Sequence, residues 1–383
     1  MDEVISATSA ERGFLMLLDE DGELGFRTAR GMDQRTIEKS EFSISRGIVE
    51  RVANEGIPLL TSNAQVDERL DKRASVKLYG LRSVLCVPIR QKEKVLGVLY
   101  VDNRFQNGIF TQDDLELMQS IASSAGIAID NARLYQIAVE KGRMERELQM
   151  AHDVQVSLIP PEIPSHAGWD FAACWKPAHE VSGDFYDFIP LPDGRLGVVV
   201  ADVSDKGMPA AIFMALSRSI IRSIVGMNKD LAADITKINH LIWRDTDEGM
   251  FITLLYIVFS LDSGEVEYVN AGHNPPIIVR VNSSKIEKLT RTGMAAGVEG
   301  DIHYEQKSLM LAPGDLLLIY TDGVTDTQIG GIVYGEERLE KALKQHSALP
   351  AANLIKQLEE EICGFSENGQ PTDDVTLLAA KRV

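Results

Sequence analysis

The sequence predicts an α+β protein whose two domains are joined by one long helix. Strand-like apolar runs and helices are segregated along the chain, once before residue 112 and again after residue 160. Residues 112–158 contain no proline and are rich in strong helix formers, so we expect them to form the joining helix. A chain of 383 residues is long enough for two or three domains, each with its own core.

Composition and charge exclude several classes of function. A hydrophobic content of 44% and a charged content of 25% are typical of a globular protein. The formal net charge of −18 argues against a nucleic-acid partner and against docking on an anionic membrane. Residues 1–10 lack the features of a signal peptide, and no apolar run approaches a membrane span, so we expect a cytoplasmic protein. Cys86, Cys174 and Cys363 are isolated and predict neither a disulfide framework nor a zinc site.

Residues 1–111 predict an antiparallel sheet with helices beside it. Strand-like runs occupy 13–18, 24–29, 81–90 and 94–102, and a helix is expected over 46–55. The segments R-G-F-L-M-L-L (12–18), S-V-L-C-V-P-I (83–89), V-L-G-V-L-Y-V-D-N (95–103) and F-T-Q-D-D-L (110–115) resemble a GAF domain. The resemblance implies a sensor with an unknown ligand, and a domain used only for dimerisation and signal relay is the alternative. GAF domains usually open with a helix, for which only a few residues precede Gly13.

Residues 112–160 are predicted to form a connecting helix. Asp113 and Asp114 lie where the helix dipole favours anions, and Pro160 and Pro161 end the helix. We expect the first half, to about residue 132, to pack on the GAF sheet. In the second half a seam with a shifted phase predicts a parallel coiled coil, and hence a homodimer. The seam consists of Leu134, Ile137, Lys141, Met144, Leu148, Ala151, Gln155 and Leu158.

Residues 161–383 predict a second α+β domain. Strands are expected at 169–175, 184–189, 196–203, 251–261, 266–271, 276–281, 302–310, 316–321 and 375–380. Two helices, about 209–226 and 230–246, interrupt the strands, and two more, about 336–345 and 351–363, precede the last one.

Two aspartates should face each other within residues 180–211. The turn Leu-Pro-Asp-Gly-Arg at 191–195 supplies the fixed and positive φ angles of a hairpin. Asp184 and Asp202 would then lie on neighbouring strands near the same end. Two carboxylates that close repel each other unless a cation or a shared proton neutralises them. Because no Arg adjoins either residue in the sequence, a divalent cation with oxygen ligands is the natural neutraliser.

Six motifs resemble, in the same order, the PPM-type metal-dependent Ser/Thr phosphatases, and most of all the SpoIIE/RsbU branch. They are G-D-F-Y-D (183–187), A-D-V-S-D-K-G-M-P-A-A (201–211), N-A-G-H-N-P-P (270–276), P-G-D (313–315), Y-T-D-G-V-T-D (320–326) and T-D-D-V-T-L-L (372–378). The resemblance covers roughly 168–383 and implies a helix-flanked β-sandwich with metals at one end. The chain departs from it at Ser182, where Gly is common, and at Asp205, where D-V-S-G-K-G is usual.

The resemblance implies two divalent cations, Mn²⁺ or Mg²⁺, since carboxylate and water oxygens suit hard ions. Asp202 would bridge the two ions, and Asp184 would help to hold one of them, directly or through water. These two residues are the candidate catalytic residues. Asp322 and Asp373 would hold the other ion, and the backbone carbonyl of Val203 would add a ligand.

Three further residues near these motifs are interpreted more conservatively. Asp374 is expected to lie behind the metal ligands rather than among them. His273, a tempting general acid, is interpreted as structural because Gly-His-Asn-Pro-Pro is typical of a strand-to-turn junction. Lys206 could meet a phosphate, although a solvated loop lysine is the simpler interpretation.

The predicted function is therefore a metal-dependent protein Ser/Thr phosphatase that a GAF sensor regulates. By resemblance, the substrate is a phosphorylated anti-anti-sigma (STAS-type) partner in a bacterial partner-switching pathway. The alternative is a catalytically inactive phosphatase fold that serves as an interaction protein. Four carboxylate sites argue against it, since a dead site has no reason to keep mutually repelling aspartates. A metal phosphodiesterase is disfavoured because the chain lacks a His-Asp ligand cluster.

Overall fold

The computed structural model divides the chain into an N-terminal unit, Met1–Gly142, and a C-terminal unit, Arg143–Val383. The residues described are 1–19, 21–33, 35–37, 44–64, 67, 81–245, 249–281, 285–367 and 369–383. Within this part of the chain, no helix combines the length and the apolar character that a membrane span requires.

A five-stranded antiparallel sheet forms the centre of the N-terminal unit. In chain order the elements are α1 (Asp2–Thr8), β1 (Arg12–Leu18), β2 (Leu24–Gly31), α2 (Arg46–Glu55), β3 (Leu59–Thr61), β4 (Ser83–Gln91) and β5 (Lys94–Asn103). The strands are ordered β2-β1-β5-β4-β3, and α2 packs on one face of the sheet. This confirms the predicted antiparallel sheet with helices. Helix α1 is the opening helix for which the sequence offered few residues, and the short β3 was not predicted.

Helix α3, Gln112–Leu158, begins and ends at the predicted residues. Its start is fixed by a capping box. The Thr111 amide donates to Asp114 Oδ2 at 2.8 Å, and the Asp114 amide donates to Thr111 Oγ1 at 3.3 Å. Met118 and Ala122 are buried against the face of the sheet opposite α2. The first half of the helix therefore packs on the sheet, as the sequence predicts.

The middle of α3 exposes apolar side chains of the predicted seam. Leu134, Ile137 and Met144 are 56%, 55% and 58% exposed. Gln155 does not share this surface, because it is only 3% exposed and is bonded within its own chain. Its assignment to the seam was wrong. Helical periodicity alone does not distinguish a side chain that faces a partner helix from one that faces its own domain.

Two five-stranded sheets form the C-terminal unit. Its elements are β6 (Trp169–Lys176), β7 (Phe185–Pro190), β8 (Leu196–Val203), α4 (Met208–Ile224), α5 (Leu231–Asp245), β9 (Ile252–Ser260), β10 (Glu265–Ala271), β11 (Ile277–Val279), β12 (Ile286–Lys288), β13 (Lys307–Met310), β14 (Leu316–Tyr320), α6 (Asp322–Asp326), β15 (Gln328–Ile329), β16 (Ile332–Val333), α7 (Gly335–His346), α8 (Ala351–Gly364) and β17 (Val375–Arg382). One sheet has the order β13-β10-β9-β8-β7 and the other β12-β11-β14-β17-β6.

The sheets pack face to face and share an apolar core. Phe171 of one sheet and Phe259 of the other meet edge to face, with ring centroids 5.5 Å apart. Helices α4 and α5 contact the first sheet, and α7 and α8 contact the second. The predicted helix-flanked β-sandwich is confirmed.

The differences from the predicted elements are local. The strand expected over 302–310 shortens to Lys307–Met310, and β12, α6 and the β15–β16 hairpin were not predicted. These elements are two to five residues long, too short for a periodic pattern to show. Thr246, where the second helix was expected to end, lies outside the described residues.

Candidate active site

The β7–β8 hairpin brings Asp184 and Asp202 together. Phe185 pairs with Ala201, so the residue before β7 faces the residue one step further along β8. The turn closes through a hydrogen bond from the Leu191 amide to the Arg195 carbonyl at 2.9 Å. The two carboxyl groups are close enough for each to influence the pKa of the other.

Two threonines hold the Asp184 carboxylate from the other sheet. Asp184 is 1% exposed, and its Oδ2 accepts hydrogen bonds from Thr321 Oγ1 at 2.7 Å and from Thr376 Oγ1 at 2.8 Å. Thr321 directly follows β14, and Thr376 lies in β17. Sequence reasoning missed both threonines, although each lies beside a predicted ligand in its motif.

No cationic side chain in the described residues forms an ion pair with Asp184 or Asp202 to balance their charges. Burial, then Asp202, then Asp374 hold the pKa of Asp184 well above its usual range. Burial and then Asp322 raise the pKa of Asp202 to about 7. The ionised forms of these groups therefore need positive charge from elsewhere.

The other buried aspartates of the described chain have partners of their own. Asp102, Asp187 and Asp315 each pair with at least one Arg. Asp234 accepts hydrogen bonds from the amides of residues 226 and 228 and from the Asn228 side chain. Only at Asp184 is the partner set made of hydroxyl groups and other carboxyl groups.

Asp322 reaches the site as the first residue of helix α6. The next residue must be Gly, because a Cβ on Gly323 would stand 2.1 Å from the Asp374 carbonyl oxygen. This close approach brings Asp322 beside Asp373, and burial and then Asp373 raise the pKa of Asp322. The two motifs also meet backbone to backbone, because the Thr321 amide donates to the Thr376 carbonyl oxygen at 3.1 Å.

The two neighbouring aspartates at 373 and 374 have different contacts. Asp373 Oδ2 lies 2.7 Å from Lys206 Nζ, in a pair that is partly exposed. Asp374 is bonded to the chain behind Asp184: its Oδ2 accepts from Ser182 Oγ at 2.8 Å and from the Gly183 amide at 2.9 Å. Asp374 thus orients the segment that carries Asp184, and Lys206 contacts a carboxylate rather than solvent alone.

Val203 ends β8 immediately after Asp202. A Cβ on Gly183 would stand 3.1 Å from the Val203 carbonyl oxygen, so a Gly there lets the two segments approach closely. The five predicted ligands therefore lie at one end of the sandwich. In this structure their oxygens do not form a complete metal-binding cluster. Among the described residues, no three His, Cys, Asp or Glu side chains are arranged to hold one ion.

Those oxygens nevertheless suit a hard divalent cation. The donor set consists of carboxylates and one backbone carbonyl, with no thiolate or imidazole among them.

The loop after Asp202 is strained. Asp205 has a φ of 79°, in the left-handed region that favours Gly. This is the position at which the related motif usually has Gly. Asp205 therefore adopts a backbone conformation that is typical of Gly, although Gly adopts it with less strain than Asp does.

His273 is buried behind the site. Its Nδ1 lies 2.9 Å from Thr253 Oγ1, and Thr253 pairs with Asp202 across β8 and β9. Burial and then the Arg291 charge lower the pKa of His273 to about 3. The ring is therefore neutral, which agrees with a structural role.

Two of the three cysteine thiols, those of Cys86 and Cys174, are unsuited to nucleophilic attack. Burial raises the pKa of Cys86 far above its usual range and that of Cys174 to about 12. A thiol with a raised pKa stays protonated and is a poor nucleophile.

Comparison with known protein families shows which family the chain belongs to. The model of the family described as stage II sporulation protein E (SpoIIE) matches residues 192–383, half of the chain. The chain belongs to the SpoIIE family. A GAF domain model matches residues 1–129 ahead of it. The predicted order of a GAF domain followed by a SpoIIE-type domain is confirmed.

Individual relatives match somewhat less than two thirds of the chain, and the match to the first of them spans less than half of that protein's length. Protein IcfG of Synechocystis is 30% identical over 272 residues, which cover 64% of this chain and 43% of IcfG. Phosphoserine phosphatase RsbU of Bacillus subtilis is 26% identical over 239 residues, which cover 62% of this chain and 71% of RsbU. The SiaA-PP2C domain of Pseudomonas aeruginosa superposes with a TM-score of 0.56 at 20% identity, covering 64% of this chain and 99% of that domain. This likeness shows that the SpoIIE-type domain has the PP2C fold.

Proposed function

We propose that this SpoIIE-family chain is a metal-dependent protein Ser/Thr phosphatase whose GAF domain regulates the catalytic domain. The observation that carries the proposal is the pair of Asp184, which is buried, and Asp202, which is partly buried; they face each other without an ion pair in the described chain. Such a pair is costly unless a cation joins it. The name of RsbU, a phosphoserine phosphatase, supports the same activity.

The proposed site holds two divalent cations, Mn²⁺ or Mg²⁺. Asp184, Asp202, Asp322 and Asp373 would hold them, and the backbone carbonyl of Val203 would be a further ligand. Bound cations of this kind lower the pKa of a water molecule and offset the charge of a phosphoryl group.

The remaining residues of the site orient these ligands. Thr321 and Thr376 fix the Asp184 carboxylate, and Asp374 fixes the backbone before it. Lys206 Nζ lies 2.7 Å from Asp373 Oδ2, so its ammonium group would stand beside a phosphate held at the proposed ions.

The proposed substrate is a phosphoserine or phosphothreonine on a small STAS-type protein of a partner-switching pathway. The resemblance of the six motifs to the SpoIIE/RsbU branch supports this substrate class. In this proposal residues 1–111 form the sensor, 112–160 the connecting helix and 161–383 the catalytic domain. The division of the chain at residue 142 lies within that helix.

We further propose that the exposed seam of α3 forms a homodimer. Ile137 is a better test position than Leu148, because Ile137 is 55% exposed whereas Leu148 is half-buried in its own chain. Ile137→Glu should convert a dimer into a monomer in light scattering. Val139→Glu, an equally exposed position off the seam, should leave the mass unchanged. A wild-type protein that is monomeric at micromolar concentration would contradict the dimer.

The activity itself is tested by hydrolysis of a generic phosphoserine peptide. The full-length protein should release phosphate with added Mn²⁺ and stop when a chelator is added in excess. Alkylation of the cysteines should leave the rate within a small factor. A folded protein that shows no Mn²⁺-dependent release would favour the inactive interaction protein instead.

A further inference from the structure

The last turn of α3 forms hydrogen bonds with Ser182, the residue two positions before Asp184. Gln155 Nε2 donates to the Ser182 carbonyl oxygen at 2.8 Å, and the Ser182 amide donates to Gln155 Oε1 at 3.0 Å. One side-chain amide thus satisfies both backbone groups of Ser182. Since Gln155 is 3% exposed, water does not replace these bonds readily, and their loss would leave buried polar groups without partners.

Ser182 in turn forms hydrogen bonds with two aspartates of the site. Its Oγ donates to Asp374 Oδ2 at 2.8 Å and accepts from the Asp184 amide at 3.0 Å. A glycine, which is common at this position in the related motif, would lack the hydroxyl. The link from α3 to Asp374 and Asp184 through this side chain is therefore a property of this chain's own sequence.

A second contact reaches Asp184 from the same face of α3. The His152 ring stacks on Trp175, with centroids 6.0 Å apart and an interplanar angle of 14°. Trp175 Nε1 donates to the Asp184 carbonyl oxygen at 2.9 Å. His152 and Gln155 are three residues apart and so lie on one helix face. The amide and the carbonyl of Asp184 are thus both held by groups that contact this face.

The end of α3 is itself fixed in the catalytic domain. Ile159, just after the helix, is buried in the core of the sandwich. Gln155 Nε2 also lies 3.5 Å from the Ala211 carbonyl oxygen, in the first turn of α4. These contacts therefore fix the position of the last turn of α3 relative to the residues of the candidate site.

We infer that Gln155 is a positioning residue for the metal ligand Asp184. The inference rests on the proposed function, because it assigns Gln155 to the metal site of that function.

The test compares Gln155→Met with Gln149→Ala in the full-length protein. Met has nearly the volume of Gln but no amide, whereas Gln149 lies on the exposed part of the same helix and bonds only Asp153 in the described chain. Free Mn²⁺ is measured by electron paramagnetic resonance during titration, and peptide hydrolysis is measured in parallel. Gln155→Met should weaken Mn²⁺ binding by about tenfold or more, as for other groups that orient metal ligands, and leave the peptide KM within about twofold. Gln149→Ala should match the wild type.

A purely structural role gives a different result. It would lower the thermal midpoint in chelator but leave the Mn²⁺ dissociation constant of the folded protein unchanged, and that result would overturn the inference. If Gln155→Met does not fold, Gln155→Asn replaces it, since its shorter amide cannot bond both groups of Ser182. Wild-type Mn²⁺ affinity in a folded Gln155→Asn would likewise overturn the inference.

Failure of the inference is distinguishable from failure of the proposed function. A wild type that hydrolyses the peptide with Mn²⁺, beside a Gln155 variant of equal Mn²⁺ affinity, removes only the role of Gln155. A wild type that neither binds Mn²⁺ nor releases phosphate removes the metal-dependent activity, and the role of Gln155 with it.

Discussion

Two buried aspartates, one in each unit, show how a fold can treat an internal charge in opposite ways. Asp102 in the sheet of the GAF domain is fully buried, and its carboxylate meets the Arg12 guanidinium through two hydrogen bonds of 2.9 and 2.6 Å. Tyr100 adds a third donor at 3.1 Å. Burial raises the pKa of Asp102, and Arg12 acts against that rise. The charge of Asp102 is compensated inside the chain.

Asp184 is buried to the same degree, but its neighbours destabilise its negative charge instead of compensating it. Two threonine hydroxyls donate to it, while Asp202 and Asp374 add negative charge. A buried carboxylate with its own Arg is typical of a structural ion pair. One that faces other carboxylates is typical of a site that takes its counter-charge from a ligand. Sequence alone does not separate the two, since Asp102 and Asp184 both lie at the end of an apolar strand.

The largest expected effect is on turnover, at the partner of Asp184. Asp202→Asn should lower Mn²⁺-dependent hydrolysis by about a thousandfold or more, because it removes the bridging charge while leaving the fold intact. Asp373→Asn should also be severely impaired. Asp262→Asn, in the exposed β9–β10 turn, is the matched control and should keep wild-type rates. Near-normal turnover in Asp202→Asn would contradict the proposal that this carboxylate pair binds a metal ion.

The next effect is on stability, at the compensated aspartate. Arg12→Met leaves the Asp102 charge buried and unpaired, which should cost the N-terminal unit about 3–5 kcal/mol. Arg12→Met with Asp102→Leu should recover most of that loss.

The three tryptophans make this prediction measurable. Trp169, Trp175 and Trp243 all lie in the C-terminal unit, so their fluorescence follows that unit, whereas circular dichroism follows both. Arg12→Met should shift the urea transition in circular dichroism and spare the fluorescence transition. Equal shifts in both signals would show that Asp102 does not act locally.

A smaller effect concerns pH and appears only in chelator. Burial and Asp202 raise the pKa of Asp184, so the metal-free folded state keeps protons that the unfolded chain has released. Its stability should therefore fall as the pH rises from 6 to 8, by up to about 1.4 kcal/mol per pH unit for each such proton. Asp184→Asn should flatten this slope in fluorescence-detected unfolding. With Mn²⁺ the wild type should show the opposite trend, since ligands must be ionised to bind. Identical slopes for both proteins in chelator would contradict the account.

The smallest effect tests whether the site also carries backbone strain. Asp205→Gly relieves a φ of 79° and should stabilise the C-terminal unit by about 1 kcal/mol. Asp262→Gly, whose φ is not positive, should be neutral or slightly destabilising. Urea unfolding followed by tryptophan fluorescence compares the two. If both variants behaved alike, the strain at Asp205 would be negligible.

Local signals in the sequence predicted much of the molecule. Asp113, Asp114 and the two prolines that follow the helix indicated the limits of α3, and the Pro-Asp-Gly turn indicated the register that sets Asp184 against Asp202. These predictions succeeded because each depends on residues close together in the chain.

Contacts between distant parts of the chain were not predictable in this way. Thr376 and Asp184 are 192 residues apart in sequence, and Gln155 and Ser182 are 27 apart. Only tertiary packing brings such pairs together, and a polar side chain carries no periodic signal of its partner. The error at Gln155 has this origin: its spacing suited a seam, but its amide is used inside the domain.

The strand order of the second sheet has a consequence for how the protein is made. Strand β17 follows β6 and β14 in the sequence, yet it lies between them in the sheet. On the ribosome, β6 and β14 therefore acquire their common neighbour only after both have been synthesised. Asp373 and Thr376 arrive with that strand. A nascent chain would thus complete this sheet and its carboxylate cluster in one step, and a chain cut short before residue 373 would complete neither.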